Sequence, residues 1–407
     1  MENRVVITGV GSISPLGHDW PSVRQALREG RCGIEHMPEW ERIEGLVCHM
    51  AAPCEFSPPA HYRRRVLRSM GRVAQLAVRA SELALEQAGI AKGDEILTSG
   101  QAGVAYGSAQ GSVEGMQEFF GLLNDQTTAE LKSTSYIRAM THTAPVNIGV
   151  FFGLTGRVIT TTTACTASSQ AIGYAFEAIK AGQQTLMLAG GADELTAIHS
   201  AVFDSLLATS KSNNSPATAS RPFDAERDGL VLGEGACTFV LEELEHARIR
   251  GANILGEVVG FATNADGAHI TRPQAATQTR CIAMALESAH LNASDIGYVS
   301  AHATATEYGD AAEAEALLEV MDNVPVASLK GHIGHTLGAC GSLEAWAALM
   351  MMRDGWFAPT LNLQNPNCAK LDYLTGDGRE ITTDYVMSNN FAFGGINTSL
   401  ILRRYST

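Results

Sequence analysis

The sequence predicts an α/β fold made of two similar halves that pack as one layered body. Two segments carry this prediction, because each runs from a strand through a turn of small residues into a helix: GRVITTTTACTASSQAIGYAFEAIKAG and VPVASLKGHIGHTLGACGSLEAWAALMMMRDG. Forty glycines fit the many tight strand-to-helix connections of such folds. Because no linker rich in Pro and Ser separates the halves, we assign them to 1–250 and 251–407 and expect intimate packing.

Local patterns place the first elements of this fold. The opening RVVITGVGSISPLG predicts a buried strand, and helical spacing of apolar residues predicts a helix over 70–90. QAGVAYGS at 101–108 predicts another buried strand. The longest polar stretch, 210–224, is interpreted as a surface loop.

Composition excludes several classes of protein. A formal net charge of -14 argues against nucleic acid and against an anionic membrane surface as partners. The N-terminal sequence lacks the pattern of a signal peptide, and no window reaches about 18 apolar residues. Eight cysteines without a CxxC pair are typical of reduced thiols. We therefore expect a soluble cytoplasmic protein.

Cys165 is the first candidate for chemistry. It falls where a strand turns into a helix, so its sulfur would face the free N–H groups and positive dipole end of that helix. This position predicts a lowered thiol pKa and a reactive thiolate. A small buried core residue is the alternative interpretation.

Two histidines follow apparent strands in loops of small residues: His302 in YVSAHATATEYGD and His335 in SLKGHIGHTLGACG. Strand ends are where α/β sheets place their sites. Lys330 precedes His335 by five residues, and His332 competes with His335 for the same role. Near the C-terminus, Phe393 precedes two glycines that could aim a backbone N–H at an oxyanion.

Together, TACTASSQ, AHATATEYGD, SLKGHIGHTLGACGSLEA and NNFAFGGIN resemble the four hallmark blocks of elongating β-ketoacyl-acyl-carrier-protein synthases of the thiolase superfamily. The resemblance covers essentially the whole chain. It is closest to the synthase II type, including the branch associated with aryl-polyene-like pathways. It implies a thiolase-like fold layered α-β-α-β-α, and a decarboxylative condensation of an acyl-carrier-protein primer with malonyl-carrier protein.

The resemblance also implies roles for individual residues. Cys165 would carry the acyl chain as a thioester, and its N–H and that of Phe393 would form the oxyanion hole. His302 and His335 would assist the decarboxylation of malonyl-carrier protein. Two imidazole donors on a thioester oxygen would stabilise the enolate that loss of CO2 generates.

Further residues are implied around this centre. Lys330 would hold the His302 region through Glu313, and Asp310 is a second candidate for that network. Thr304 and Thr306 match positions that hydrogen-bond the phosphopantetheine arm. The substrates travel on that arm, so neither a separate cofactor nor a metal is expected. Some relatives hold a monovalent cation near Glu344, Ser388 and Asn389, which we interpret as structural.

Two related activities are less compatible with these residues. Synthases that start chains from acyl-CoA carry asparagine in place of the second histidine, whereas this chain has His335. Chain-length factors, which are catalytically silent, lack the cysteine, whereas this chain has Cys165.

Three residues depart from the family pattern. Ala303 and Ala392 stand where glycine is usual, which should crowd the first histidine loop and restrict the backbone beside Phe393. Gln110 falls where many relatives have an apolar residue at the floor of the acyl pocket, near the expected dimer interface. The resemblance implies that Phe203 and Gln110 both bind substrate. A buried amide needs hydrogen-bond partners, so we hypothesise a short or polyunsaturated primer.

The basic segment 63–72 is a candidate docking site for an acidic acyl carrier protein. Its arginines are Arg63, Arg64, Arg65, Arg68 and Arg72. The resemblance places carrier contacts here, with Arg64, Arg65 and Arg68 as the assigned residues. A solvated helix face is the alternative. The family also implies a two-fold homodimer, and a heterodimer with a ketosynthase-like partner stays open.

Three rival functions remain at this stage. A zinc hydrolase could use the His-x-x-His of GHIGH with Cys340, although the helical HExxH register is missing. A cysteine amidase could use Cys165 with His302, but it leaves His335 and Lys330 without roles. The third is a silent subunit that shapes a chain-length pocket.

Overall fold

The structure, a computed structural model, describes residues 2–321 and 323–406. Its strands are β1 Val5–Ile13, β2 Glu35–His36, β3 Met50–Ala52, β4 Ala102–Gly107, β5 Val158–Thr161, β6 Leu186–Asp193, β7 Leu232–Gly233, β8 Gly235–Glu243, β9 Gly256–Ala265, β10 Tyr298–Ser300, β11 Pro325–Ala327, β12 Trp356–Phe357, β13 Asp372–Tyr373, β14 Arg379–Glu380, β15 Tyr385–Ala392 and β16 Ile396–Arg403. Its helices are α1 Trp20–Arg28, α2 Arg64–Leu67, α3 Arg72–Ala88, α4 Glu95–Thr98, α5 Val113–Gln117, α6 Phe120–Asp125, α7 Ser135–Ala139, α8 Thr143–Phe152, α9 Ala167–Lys180, α10 Ala197–Ser205, α11 Pro216–Ala219, α12 Leu244–Ile249, α13 Ala275–Ala289, α14 Glu307–Val320, α15 Lys330–Ile333 and α16 Cys340–Asp354.

Eleven of these strands form one sheet in which the same pattern occurs twice. The N-terminal half has the order β5-β4-β6-β8-β1, and the C-terminal half has the order β11-β10-β15-β16-β9, with the short strand β13 added at the outer edge beside β11. Numbered within each half, both orders are 3-2-4-5-1. In both halves the first two strand pairs of this order are parallel and the last two are antiparallel. The predicted duplication is confirmed.

The two half-sheets enclose a shared layer of helices. Helices α9 and α16 pack against each other and against strands of both halves. Helices α3 and α8 cover the outer face of the N-terminal half, while α13 and α14 cover the outer face of the C-terminal half. The largest apolar cluster lies in the central layer, where it includes Phe176 and Trp346. These observations confirm the five-layered α/β fold.

One connection was absent from the prediction. Strands β1 and β9 pair antiparallel, with Val5 opposite Val258, so the half-sheets are joined edge to edge. The predicted helix 70–90 and strand 101–108 correspond to α3 and β4. The predicted surface loop at 210–224 is wrong at its end, because Phe223 is fully buried there against Tyr373.

Across residues 2–321 and 323–406, no helix is both long and apolar enough to cross a lipid bilayer.

Candidate active site

Cys165 lies in a short 3-10 turn, Ala164–Thr166, between β5 and α9. Ala164 takes a left-handed φ of 51°, a conformation that residues with a Cβ seldom adopt. The C-terminal half repeats this turn between β11 and α16, where Leu337 also has a φ of 51°. Cys165 therefore has Gly338 as its counterpart, so of the two equivalent turns the N-terminal one carries a thiol at this position and the C-terminal one does not.

His335 lies against the nucleophile. Its Nε2 is 3.0 Å from the Cys165 Sγ, and its Nδ1 accepts a hydrogen bond of 3.2 Å from the Leu337 N–H. Because Nδ1 accepts, the neutral ring carries its proton on Nε2 and presents it to the sulfur. His332 does not compete for this role, since both of its ring nitrogens face backbone carbonyl oxygens, those of Arg31 and Pro359.

His302, in the loop after β10, faces His335. Their rings are perpendicular, with centroids 5.2 Å apart. The His302 Nδ1 lies 3.3 Å from the Lys330 Nζ and 3.3 Å from the Asn390 Nδ2, and both of these groups are donors. The proton of neutral His302 is therefore also on Nε2. The two histidines thus present the same kind of donor.

The contacts of Lys330 correct one prediction. Its ammonium forms an ion pair with Glu344, not with Glu313, and both partners are fully buried. The second oxygen of Glu344 accepts a hydrogen bond of 2.8 Å from Asn390. Glu344 and Asn390 therefore hold the two donors against His302, a role that the sequence analysis missed when it interpreted Glu344 as structural.

Glu313 and Asp310 fix the His302 loop through its backbone. Glu313 accepts from the N–H groups of His302 at 2.8 Å and Ala303 at 2.7 Å. Asp310 accepts from the Thr304 N–H at 2.9 Å. Burial raises the pKa of Glu313 to about 8 and that of Asp310 to about 6.

The ionisation of the nucleophile differs from the prediction. Burial raises the pKa of the Cys165 thiol to about 11, against the opposing effects of the Lys330 charge and the N–H groups of Phe393 and Cys165. The position at a helix start does not outweigh this desolvation, so the resting sulfur is a thiol at neutral pH. Burial, together with the charge of Lys330, lowers the pKa of His302 and His335 well below their usual range.

A cavity of about 390 Å³ opens onto these groups. Its lining includes Cys165, His302, His335, Ala303, Thr304, Thr306, Ala392 and Phe393. The hydroxyls of Thr304 and Thr306 are 3.0 Å apart on its wall. The cavity is thus a path from the surface to the sulfur, past the residues predicted to contact a pantetheine arm.

Phe203 and Gln110 lie outside this lining. Phe203 packs on Phe393, with ring centroids 5.5 Å apart, in an apolar cluster that Ala109 joins. Gln110 follows Ala109 and places its amide 3.9 Å from the sulfur of Met116. Both residues are therefore next to the Phe393 cluster, and not in the open cavity.

The basic segment 63–72 divides into two parts. Arg63, Arg64, Arg65 and Arg68 are exposed. Arg72 is half-buried and pairs with Glu234 through contacts of 2.6 and 2.8 Å, so it is not available to a partner. The free basic surface is the stretch 63–68.

Metal-ligating atoms do converge in the described residues. Cys165, His302 and His335 offer ligand atoms within 4.8 Å of one another. The His332 and His335 pair considered for zinc does not converge on a common point, because both ring nitrogens of His332 face backbone carbonyl oxygens. Within the described residues, Ser388 and Asn389 keep buried polar atoms without a hydrogen-bond partner, which fits the monovalent cation that the resemblance implies there. Such an ion would supply positive charge only.

A thiol at a helix start, two imidazoles with protons on Nε2 and converging backbone N–H groups are typical of enzymes that transfer acyl groups through cysteine. The family profiles agree: the beta-ketoacyl synthase N-terminal domain matches residues 2–247 and the C-terminal domain matches 255–364. The chain belongs to the beta-ketoacyl synthase family.

Individual relatives match over the full length. A 3-oxoacyl-[acyl-carrier-protein] synthase 2 from Synechocystis is 34% identical over 99% of both chains. A crystal structure of a beta-ketoacyl synthase from Burkholderia phymatum STM815 is 53% identical, with a TM-score of 0.98 over 99% of this chain and 100% of that chain. A type II polyketide ketosynthase, solved with its acyl-carrier protein, is 27% identical, with a TM-score of 0.89 over 100% of both chains.

Proposed function

We propose that this enzyme elongates acyl chains by condensing an acyl primer, bound to Cys165, with malonyl-carrier protein in fatty acid or polyketide synthesis. The family membership supports the reaction class. The observation that carries the proposal is the pair of Nε2–H donors of His302 and His335 beside the Cys165 sulfur. A hydrolase would need one base for water, whereas a decarboxylating condensation needs two donors for an enolate.

The first step is acyl transfer. The Cys165 sulfur attacks the carbonyl carbon of the primer thioester, and the N–H groups of Cys165 and Phe393 bind the oxyanion that forms. The carbon–sulfur bond to the carrier then breaks. The proton of Cys165 ends on the thiol of the departing carrier, so that an acyl-cysteine and a free carrier protein result.

The second step is decarboxylation and condensation. The thioester oxygen of malonyl-carrier protein receives hydrogen bonds from His302 and His335, and the bond to the carboxylate breaks to release CO2. The electron pair left behind forms an enolate that attacks the acyl carbon on Cys165. The cysteine leaves as a thiolate and takes up a proton, which gives 3-oxoacyl-carrier protein.

Mass spectrometry of the intact protein tests this sequence of steps. An acyl-carrier protein substrate should add one acyl group to Cys165, and malonyl-carrier protein should then remove it as the 3-oxoacyl product. Loss of the acyl group without malonyl-carrier protein would instead indicate a hydrolase. A protein that never becomes acylated would be a silent subunit.

We also propose that the carrier protein docks on the exposed basic stretch 63–68. Four arginines without described carboxylate partners would complement an acidic carrier, on an enzyme whose own net charge is -14. The polyketide relative solved with its carrier supports this kind of partner. Assembly as a two-fold homodimer, or with a ketosynthase-like chain-length partner, is part of the same proposal.

Gln110 supports a preference for short or polyunsaturated primers, as in aryl-polyene-like pathways. Its amide faces the Met116 sulfur, and the preceding residue, Ala109, joins the Phe203 and Phe393 cluster, so a long saturated chain reaching this position would offer the amide no hydrogen-bond partner. C6 and C8 primers should therefore turn over faster than C14 and C16 primers, and Gln110→Leu should narrow the difference. Equal rates would exclude this preference.

Free thiols at all eight cysteines support a cytoplasmic location.

A further inference from the structure

Asp193 is a buried carboxylate that the proposed mechanism does not use. It ends β6 and accepts three hydrogen bonds: from the Ser108 hydroxyl at 2.7 Å, the Ala109 N–H at 2.8 Å and the Gly338 N–H at 2.6 Å. The side chain is fully buried. One of its oxygens therefore ties the end of the N-terminal half-sheet to the turn that follows Leu337 in the other half.

That turn has an unfavourable backbone conformation. Leu337 has a φ of 51°, and such residues persist only where surrounding contacts hold them. The contact with Asp193 is also very close at Gly338, where an added Cβ would lie 2.6 Å from the carboxylate oxygen. The absence of a side chain at Gly338 is thus what lets Asp193 hold the turn.

The same turn sets the proton position of His335. The Leu337 N–H donates to the His335 Nδ1, and this bond keeps the ring proton on Nε2, which faces Cys165. We propose that Asp193 is a positioning residue that fixes this tautomer of His335 by holding the Leu337 and Gly338 turn. The inference rests on the proposed function for its catalytic consequence, but the tautomer itself is independent of it.

Two variants perturb the turn by different means. Asp193→Ala removes the acceptor, and Gly338→Ala pushes the turn away without changing any charge. Both should lower the rate of malonyl-carrier-protein decarboxylation per active site about 10- to 100-fold, with KM within about twofold, because the Leu337 N–H is displaced from the His335 Nδ1 that it orients. Both should also shift alkylation of Cys165 by iodoacetamide to higher pH, since the sulfur loses the Nε2–H donor of His335 that stabilises its thiolate.

Asp193→Asn is the conservative variant. Its oxygen can replace the one that accepts from Gly338 and Ala109, while its NH2 group faces the Ser108 hydroxyl, which can accept. It should therefore stay within about threefold of wild-type activity. Glu242→Ala is the matched control. Glu242 lies on β8, away from the cavity, and is an equally buried carboxylate that accepts hydrogen bonds from Thr8 and Arg250.

The outcomes separate the two proposals. Nitrogen-15 spectra of the histidine rings should report a proton on Nε2 of His335 in the wild type and a mixture in Asp193→Ala. An unchanged tautomer and an unchanged alkylation profile in both turn variants would overturn the positioning role, as would equal damage by Asp193→Asn and Asp193→Ala. A wild-type enzyme that fails to condense would instead refute the proposed function alone.

Discussion

The buried Lys330 ammonium lies 3.3 Å from the Nδ1 of His302. A cation this close both excludes a second proton from the ring and keeps its Nδ1 in the acceptor role. The buried ion pair with Glu344 keeps that cation in place. The pair therefore acts on the charge state of a histidine more directly than on fold stability.

Removal of the Lys330 charge should impair decarboxylation. In Lys330→Met the stem is retained, but His302 loses a donor and the buried Glu344 loses its counter-ion, which is costly. We expect malonyl-carrier-protein decarboxylation to fall about 100-fold. The double variant Lys330→Met with Glu344→Gln should recover stability, measured by urea denaturation, without recovering activity. Recovery of both would mean that the charge is only structural.

Each catalytic histidine should be separable from its neighbour. His302→Ala and His335→Ala each remove one donor to the enolate oxygen, so decarboxylation should fall about 10²- to 10³-fold. The rate of Cys165 acylation, measured by mass spectrometry, should fall less in His302→Ala than in His335→Ala, because the His335 ring is the one that contacts the sulfur. His332→Asn is the control, since His332 meets only backbone carbonyls. Equal losses in all three would argue against the assignment.

Charge reversal on the basic stretch should affect binding and not chemistry. Arg65→Glu with Arg68→Glu should raise the KM for acyl-carrier protein about tenfold or more, with kcat little changed, and the effect should shrink at high salt. The control is Arg280→Glu with Lys370→Glu, which makes the same change in net charge on exposed residues of the C-terminal half. A KM that rises equally in both variants would indicate a non-specific charge effect.

Folding stability should decline as pH rises from about 6 to 9. Burial raises the pKa of Asp310 to about 6, of Asp193 to about 7 and of Glu313 to about 8, so the native state holds extra protons and loses stability as pH rises through these values. His302 and His335 have lowered pKa values, so stability also falls as pH drops below about 6.5.

Urea denaturation between pH 5 and pH 9 would measure this profile. Asp193→Asn should flatten its alkaline side, because it removes one of the three carboxyls. A stability that rises steadily to pH 9 in the wild type would contradict these pKa shifts.

Ala392→Gly should ease acyl loading. Ala392 ends β15 directly before Phe393 and lines the cavity, so its Cβ limits the backbone that carries the Phe393 ring. The glycine variant should acylate Cys165 faster in stopped-flow experiments and cost about 0.5–1 kcal/mol of stability. Ala303→Gly is the comparison, because Ala303 lies in the His302 loop and not beside Phe393. Unchanged acylation kinetics would show that motion of the Phe393 loop does not limit the rate of Cys165 acylation.

Much of the site was predictable because its reactive residues occur in short local sequence patterns. Cys165 and His335 each follow a strand and precede a helix, and the two similar segments revealed the duplication. Glu344 was assigned no function, because a carboxylate inside an apolar helix gains its meaning only from a partner on another element. Arg72 illustrates the opposite error: it belongs to the basic run in sequence but pairs with Glu234, 162 residues away.

The thiol ionisation could not be predicted from the helix start alone. The dipole of α9 is a local property, whereas desolvation of Cys165 depends on how the whole site closes around it. The pairing of β1 with β9 was likewise invisible, because register between distant strands is set by burial on both faces of the completed sheet.

The twofold repeat of the sheet order gives the enzyme a division of labour. Each half has a left-handed turn after its third strand, yet one copy has kept a sulfur at this position and the other only a glycine. The half with the glycine supplies the imidazoles. Neither copy holds a complete reaction centre, so a half expressed by itself should be catalytically inactive. Two such inactive fragments should regain turnover only when they reassociate.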